Sequence, residues 1–251
     1  MIERLYLKAL AYLAEGLSQK GLERMILRVI TRRVEILQTH EALSFLFRIE
    51  AALYPLEGQA AINYGPGIHP KHRLTTYHEF FVGRVTKGER VLDVGCGLGA
   101  VAYDIASSAG AVVDGVDYST ENITKAKILF NHKNLRFLEA DALHMEIDEV
   151  YDTVLLSNVL EHIERRPEFL QRLVRQTGAR KVLIRIPVFE RDWRVALQRE
   201  IGQDWRLDLD HKTEYTLESF VKDCAEADLV IQHLEVRWGE IWSELTVPKG
   251  K

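Results

Sequence analysis

Apolar positions recur at helical spacing through the first fifty residues (Leu22, Met25, Ile26, Val29 and Ile30, then Leu43, Leu46, Phe47 and Leu53), with no proline before Pro55. This predicts a helical N-terminal region. Residues 55–73, PLEGQAAINYGPGIHPKHR, hold three prolines and three glycines and are expected to form a loop into the main domain. A further helix is predicted over 74–85.

Beyond Arg90 the pattern alternates. RVLDVG, AVVDGVD, LRFLEAD, YDTVLLSN and KVLIRIPV read as strands that are apolar throughout, not at every second position. Between them lie predicted helices: one over 100–109 closed by Gly110, one capped by Ser119 with Ile123, Ala126 and Phe130 on one face, and one over 167–176 with Pro167 at its first position and Gly178 just past its end. Strands of this kind alternating with helices imply a parallel sheet covered on both faces. After a last helix over 216–227 come LVIQHLEVRW and EIWSELTV, separated only by Gly239, and so short a connection joins antiparallel neighbours. The expected fold class is α/β, a mostly parallel sheet with one reversed strand.

At 251 residues the chain suits one sizeable core plus an appendage. The expected division is a helical region or lid over 1–60 and a main domain over 61–251. Lys and Arg number 33 against 37 Asp and Glu, so the net charge is 33 − 37 = −4, which gives no general attraction to nucleic acid. Only Cys96 and Cys224 occur, with no CxxC pair, so neither a disulfide framework nor a zinc cluster of cysteines is expected. Glu3 and Lys8 interrupt the first apolar stretch and no run reaches a membrane span, so a cytoplasmic location is expected.

The densest chemistry lies in VLDVGCGLGAVA, residues 91–102. In an open parallel sheet the ligand sits beyond the carboxyl ends of the strands, where the first strand turns into its helix. Gly95, Gly97 and Gly99 stand at that turn in a GxGxG spacing, unlike the GxGxxG that cradles a pyrophosphate. Asp93, just upstream, suits a ligand carrying an ammonium group. Asp117 ends the second strand, where a carboxylate accepts the hydroxyls of a ribose. Asp141 ends the third and can accept from an exocyclic amine such as that of adenine. Taken singly, each of these acids reads as a helix cap or a turn residue; it is their sharing one rim that points to a nucleoside ligand.

VLDVGCGLG, VDGVDYS, FLEADAL and YDTVLLSNVLEHI together resemble the class I S-adenosylmethionine (SAM)-dependent methyltransferases, in particular the branch that includes the ubiquinone-pathway O-methyltransferases. The resemblance covers roughly residues 70–247. It implies a Rossmann-like seven-stranded sheet in the order 3-2-1-4-5-7-6 with the last strand reversed. It further implies that Asp93, Gly95 and Gly97 line the methionine part of SAM, or of its product S-adenosylhomocysteine (SAH). Asp117, with Tyr118 beside it, would take the ribose, Asp141 and Ala142 the adenine, and Ser157 and Asn158 would approach the methionine. In such relatives a basic residue ahead of the first strand meets the cofactor carboxylate; HPKHR offers Arg73 first, with His72 and Lys71 as alternatives.

A SAM enzyme aligns its acceptor with the methyl group, excludes water and, for a hydroxyl acceptor, removes a proton. His162, in NVLEHIERR after the fourth strand, is the leading candidate base, and His211 in DWRLDLDHKTEY the other. As structural alternatives, His162 would cap or pack. Trp205 and Tyr215 would either wall the acceptor pocket or pack in the core. Asp208, Asp210 and His211 lack the central glycine and distal glutamate of a calcium loop, so no metal is expected. Cys96 has no base partner, and Cys224 shares a face with Leu217, Phe220 and Val221. The expected reaction is methylation of a small molecule, most simply at a hydroxyl. The alternatives are an NAD(P)-dependent oxidoreductase on a similar sheet and a non-catalytic SAM-binding module. SNVL stands where nucleobase methyltransferases carry an Asn/Asp-Pro-Pro-aromatic tetrad, which disfavours that chemistry. The N-terminal helices, with 8 basic and 6 acidic residues up to Tyr54, fit a lid, a dimer surface or a membrane-surface contact, so monomer and homodimer both stay open.

Overall fold

Strand β1 (Arg90–Val94) is buried at four of its five positions and lies between β2 (Val112–Asp117) and β4 (Thr153–Ser157), parallel to both. β3 (Leu135–Glu139) pairs with β2, and β5 (Lys181–Pro187) with β4, again in parallel. β7 (Glu240–Thr246) runs antiparallel to β5 and carries β6 (Val230–Arg237) on its outer side. The sheet order is β3-β2-β1-β4-β5-β7-β6, as the family resemblance implies. The β6–β7 connection is Trp238-Gly239, both at positive φ (54° and 74°), the two-residue geometry whose twist matches that of a hairpin.

The computed structural model describes residues 4, 10, 12, 14–65 and 69–248. They form two compact units, one of residues 1–60 with 201–203, the other of 61–200 with 204–251. In the first, α1 (Gln19–Ile36) is capped by Ser18, whose hydroxyl accepts from the Gly21 N–H at 3.2 Å. None of the apolar residues of α1 is buried. α2 (Thr39–Tyr64) corrects the expected loop: the helix runs straight through Pro55 and Gly58. A single internal proline removes one i→i−4 bond, at about 3 kcal/mol, and the strong helix formers around it (Ala51, Ala52, Ala60, Ala61) sustain the helix.

In the second unit, adjacent residues of each strand feed opposite layers. Leu92, Val154, Leu156 and Val182 pack with Phe169, Leu170 and Leu173 of α7 (Arg166–Thr177) and Phe220 and Cys224 of α9 (Leu217–Glu226). Val91, Val113, Leu155, Leu183 and Trp242 pack with Phe80 and Phe81 of α4 (Tyr77–Val82), with Ile105 and Ala106 after α5 (Ala100–Asp104), and with Ile123 and Ala126 of α6 (Thr120–Leu129). The α5 helix continues as a π-helical turn, Ile105–Ala109, before Gly110 at φ 71°. The expected helix over 74–85 is instead α3 (Lys71–Thr75) and α4, broken at Thr76, whose φ of 57° is an outlier for a β-branched residue. α8 (Trp193–Glu200) follows a short 3-10 turn after β5. No helix among the described residues is long and apolar enough to cross a membrane.

Candidate functional site

The strand order reverses at β1, whose neighbours β2 and β4 lead away in opposite directions, and in such a sheet the ligand crevice lies beyond the carboxyl ends of the strands at this switch point. Asp93 is 2% exposed, and its Oδ2 is inaccessible and has no hydrogen-bond partner among the described residues. Burial, and then the neighbouring Asp117 charge, push its carboxyl up to about 8. Asp117 closes β2 and organises the loop: Oδ2 accepts from the Gly97 N–H at 2.9 Å, and Oδ1 from the Ser119 N–H at 2.9 Å and the Asn122 amide at 3.3 Å.

The three glycines have separate reasons. A Cβ on Gly95 would lie 2.7 Å from Val159 Cγ2, and one on Gly99 2.3 Å from Phe137 Cζ, so these two are demanded by packing. A Cβ on Gly97 would meet nothing within 4 Å, and the backbone there has φ 54°. Gly97 is therefore the glycine that leaves room over the loop. Cys96 is half-buried, and burial followed by the two acids drives its thiol further from ionisation. Cys224 is buried.

The remaining rim candidates are more exposed. Asp141 spends its carboxylate locally: Oδ1 accepts from the Leu143 N–H at 2.9 Å, and Oδ2 lies 2.7 Å from His144 Nδ1. Ala142 is half-buried against the core, and Tyr118 is 79% exposed beside Asp117. Asn158 turns the chain out of β4 at φ 57°, its N–H donating to the Arg185 carbonyl at 2.7 Å. Ser157 Oγ accepts from Arg185 Nη1 at 3.3 Å, and that guanidinium also clasps Glu240 and lies 3.9 Å over the Tyr77 ring. Of the three basic candidates in HPKHR, Arg73 is exposed, whereas His72 joins a polar chain in which the Tyr77 hydroxyl and His78 Nε2 approach its Nδ1 at 2.8 and 2.9 Å, and His78 Nδ1 meets Asp104 at 2.5 Å. Through Tyr77, which meets His72 and lies under the Arg185 guanidinium, this segment sits beside β5.

Past β4 the chain forms a 3-10 turn, Leu160–His162, and here the fold assembles a group the sequence did not announce. The Glu161 carbonyl accepts the Lys212 and Thr213 N–H groups at 2.7 and 3.3 Å, docking the 204–215 loop on the turn and bringing His211 to His162 with ring centroids 4.7 Å apart. The Glu161 side chain is 1% exposed and neither carboxylate oxygen has a partner. Burial pushes it up to about 7. Glu161, His162 and His211 offer ligand atoms that all lie within 4.8 Å of one another. His211 Nδ1 lies 2.8 Å from Glu214, which also accepts from the Leu207 N–H at 2.6 Å and from Arg191 at 2.5 Å. Burial opposes charge on His211, and Glu214 outweighs it to raise its pKa. Both candidate histidines thus come together, with Asp210 Oδ2 3.1 Å from His162 Nδ1. Of the two alternatives for Tyr215 the structure shows packing: it is fully buried, its hydroxyl donating to Asp223 at 2.8 Å. Trp205 packs edge-on against Phe189 at 5.4 Å. Glu161 was missed because glutamate ordinarily signals solvent; its only sequence signal is adjacency to His162 after a strand end.

Residues 85–233, over half of the 251, match the family model described as a methyltransferase domain. The ribosomal protein L11 methyltransferase of Thermotoga neapolitana is 31% identical over 157 residues, 61% of this chain and 56% of that protein. The ubiquinone biosynthesis O-methyltransferase of Rickettsia typhi is 36% identical over 87 residues, 34% of this chain and 35% of that protein. The chain therefore spans only about a third to just over half of the length of these relatives. The solved structure of magnesium protoporphyrin IX methyltransferase from Synechocystis PCC 6803 with bound SAH shares the fold, with a TM-score of 0.55 at 18% identity over 69% of this chain and 83% of that one. The match over 85–233 and the strand order together show that this chain belongs to the methyltransferase-domain family, of the class I SAM-dependent type.

Proposed function

We propose that the chain transfers a methyl group from SAM to a hydroxyl of a small molecule. The observation that carries this reading is the buried Asp93 oxygen that has no partner among the described residues, two residues before the glycine loop whose Gly97 is held by Asp117 and faces open space. An unpartnered buried carboxylate calls for a cation, and it would repel the pyrophosphate of a dinucleotide. The α-ammonium of SAM supplies that cation. Asp117 already accepts three N–H groups, and a carboxylate has about four acceptor sites. Asp117 would hold the ribose hydroxyls through its remaining acceptor site, beside its longest present contact, the Asn122 amide at 3.3 Å. Tyr118 would border the ribose beside Asp117, and Asp141 and Ala142 would take the adenine. Ser157 and Asn158 border the methionine portion, and Lys71, His72 or Arg73 meets its carboxylate.

Bound SAM supplies an already activated methyl group, so the chain contributes alignment and proton removal. Alignment comes from the rigid ends of β1 and β4. Proton removal falls to the Glu161, His162 and His211 group, four to five residues past the end of β4 and at the docked loop. The ubiquinone O-methyltransferase likeness favours an oxygen acceptor. Calorimetry with SAH and with NADH, followed by transfer of a labelled SAM methyl group to a panel of phenols and aliphatic alcohols, tests this. SAH binding with label in a hydroxyl product is expected. NADH binding without SAH binding overturns the cofactor, and SAH binding without transfer to any acceptor favours a non-catalytic module.

A further inference from the structure

We propose that Glu161, His162 and His211 form a binding site for one divalent transition-metal ion of the Zn2+, Co2+ or Mn2+ class. The inference deepens the reading above, since it says how the acceptor side removes a proton. Three features support it independently of the cofactor crevice.

The first is an unpaired carboxylate. Glu161 is 1% exposed, and neither of its oxygens has a hydrogen-bond partner among the described residues. Buried carboxylates are held by partners or by metal ions, and here the group facing Glu161 is a pair of imidazoles with nitrogens within 4.8 Å. The second is the orientation of His211. Its Nδ1 is engaged by Glu214 at 2.8 Å, which leaves Nε2 as the nitrogen with a free lone pair. A carboxylate behind a histidine is the usual way a metal-bound imidazole is held and its basicity raised. Glu214 is itself fixed by Arg191 and by the Leu207 N–H, so the ring cannot easily turn away. The third is charge. Glu161, Glu214 and Asp210, whose Oδ2 lies 3.1 Å from His162 Nδ1 but off line for a hydrogen bond, surround the two rings, with Arg191 as the ion-paired cation of the group.

Two imidazoles and one carboxylate make a donor set suited to first-row divalent ions rather than to Mg2+ or Ca2+, which prefer all-oxygen shells. Three protein ligands leave positions for water or for an acceptor oxygen. A cation there would lower the pKa of such an oxygen, so that its proton leaves to solvent water and neither ligating histidine has to carry it.

The experiment uses the full chain, stripped with EDTA and titrated with CoCl2 while the visible absorption of Co2+ and the heat are followed. One Co2+ per chain is expected, with visible bands that shift on going to His211→Ala and affinity at least about 100-fold weaker in Glu161→Gln and in His162→Ala. Because Glu161 is buried, circular dichroism accompanies each variant; His162, which is partly exposed, provides the measurement if Glu161→Gln does not fold. His144→Ala, at an exposed histidine elsewhere, is expected to bind Co2+ as the wild type does. Absence of saturable Co2+ binding by the folded wild type, or equal binding by all of these variants, overturns the site. SAH titration of the same stripped protein separates the two ideas: SAH binding without Co2+ binding defeats the metal site alone, and Co2+ binding without SAH binding defeats the cofactor reading alone.

Discussion

Replacing Asp93 with Asn keeps the side-chain shape and removes its charge. The carboxyl is 2% exposed with Oδ2 unpartnered, and burial carries it from an ordinary 3.8 to about 8. That displacement corresponds to a ceiling of about 6 kcal/mol, at about 1.4 kcal/mol per pH unit. Water entry and local relaxation bring the measurable part to about 1–3 kcal/mol. The folded chain keeps this proton to a higher pH than the unfolded chain does, so between about pH 4 and 8 it binds more protons. Stability of the ligand-free protein therefore falls as pH rises through that window, and Asp93→Asn is expected to raise Tm at about pH 8.5. Ligand binding moves the opposite way. The SAH ammonium prefers the ionised carboxylate, so binding expels the proton, and wild-type affinity rises by up to about tenfold per unit between about pH 6 and 7.5. Asp93→Asn loses a charge-assisted contact of about 1.5–3 kcal/mol, or about 10- to 100-fold in Kd, and loses the pH dependence. Calorimetry and thermal melts over that range test both arms. A variant that melts lower at about pH 8.5 and binds SAH with the wild-type affinity and pH profile would refute the reasoning.

Two further tests separate roles within the crevice and its surroundings. Gly97→Ala costs only about 1–2 kcal/mol of backbone strain but intrudes on the open space, so SAH affinity should fall by more than stability does, whereas Gly99→Ala collides with Phe137 at 2.3 Å and should lose about 2–4 kcal/mol in denaturant melts. Tyr215→Phe removes one buried hydrogen bond to Asp223 and should cost about 1 kcal/mol with no change in acceptor KM; a large rise in KM would return Tyr215 to the acceptor pocket.

The parallel sheet was legible because its central strands are apolar on both faces, which double-sided burial explains; edge strand β3 departs from that reading, with only Phe137 buried. The reversed hairpin was legible because a connection through Gly239 is too short for a crossover. Pro55 misled: it punctuates a sequence, yet within a long helix it removes one bond and the helix resumes. The break at Thr76 left no sequence signal, because a β-branched residue is the last expected at positive φ. At the site, the acids at the ends of β1 and β2 were legible from their places in the alternation, whereas the local pairing of Asp141 with His144 depends on the turn that follows β3. Glu161 could not be read at all. Its burial arises from a loop docking across about fifty residues of chain, and no local pattern encodes that.

The Phe137 ring, carried by the outer strand β3, fills the space beneath both Gly99 and Gly115. One aromatic side chain thus serves as a common floor for the glycine loop and for the middle of β2. Trimming it would let the loop sag, and enlarging it would lift the loop into the crevice. Position 137 is therefore held to a narrow choice of side chains by a loop it never touches in sequence, while its exposed neighbours on β3 are not.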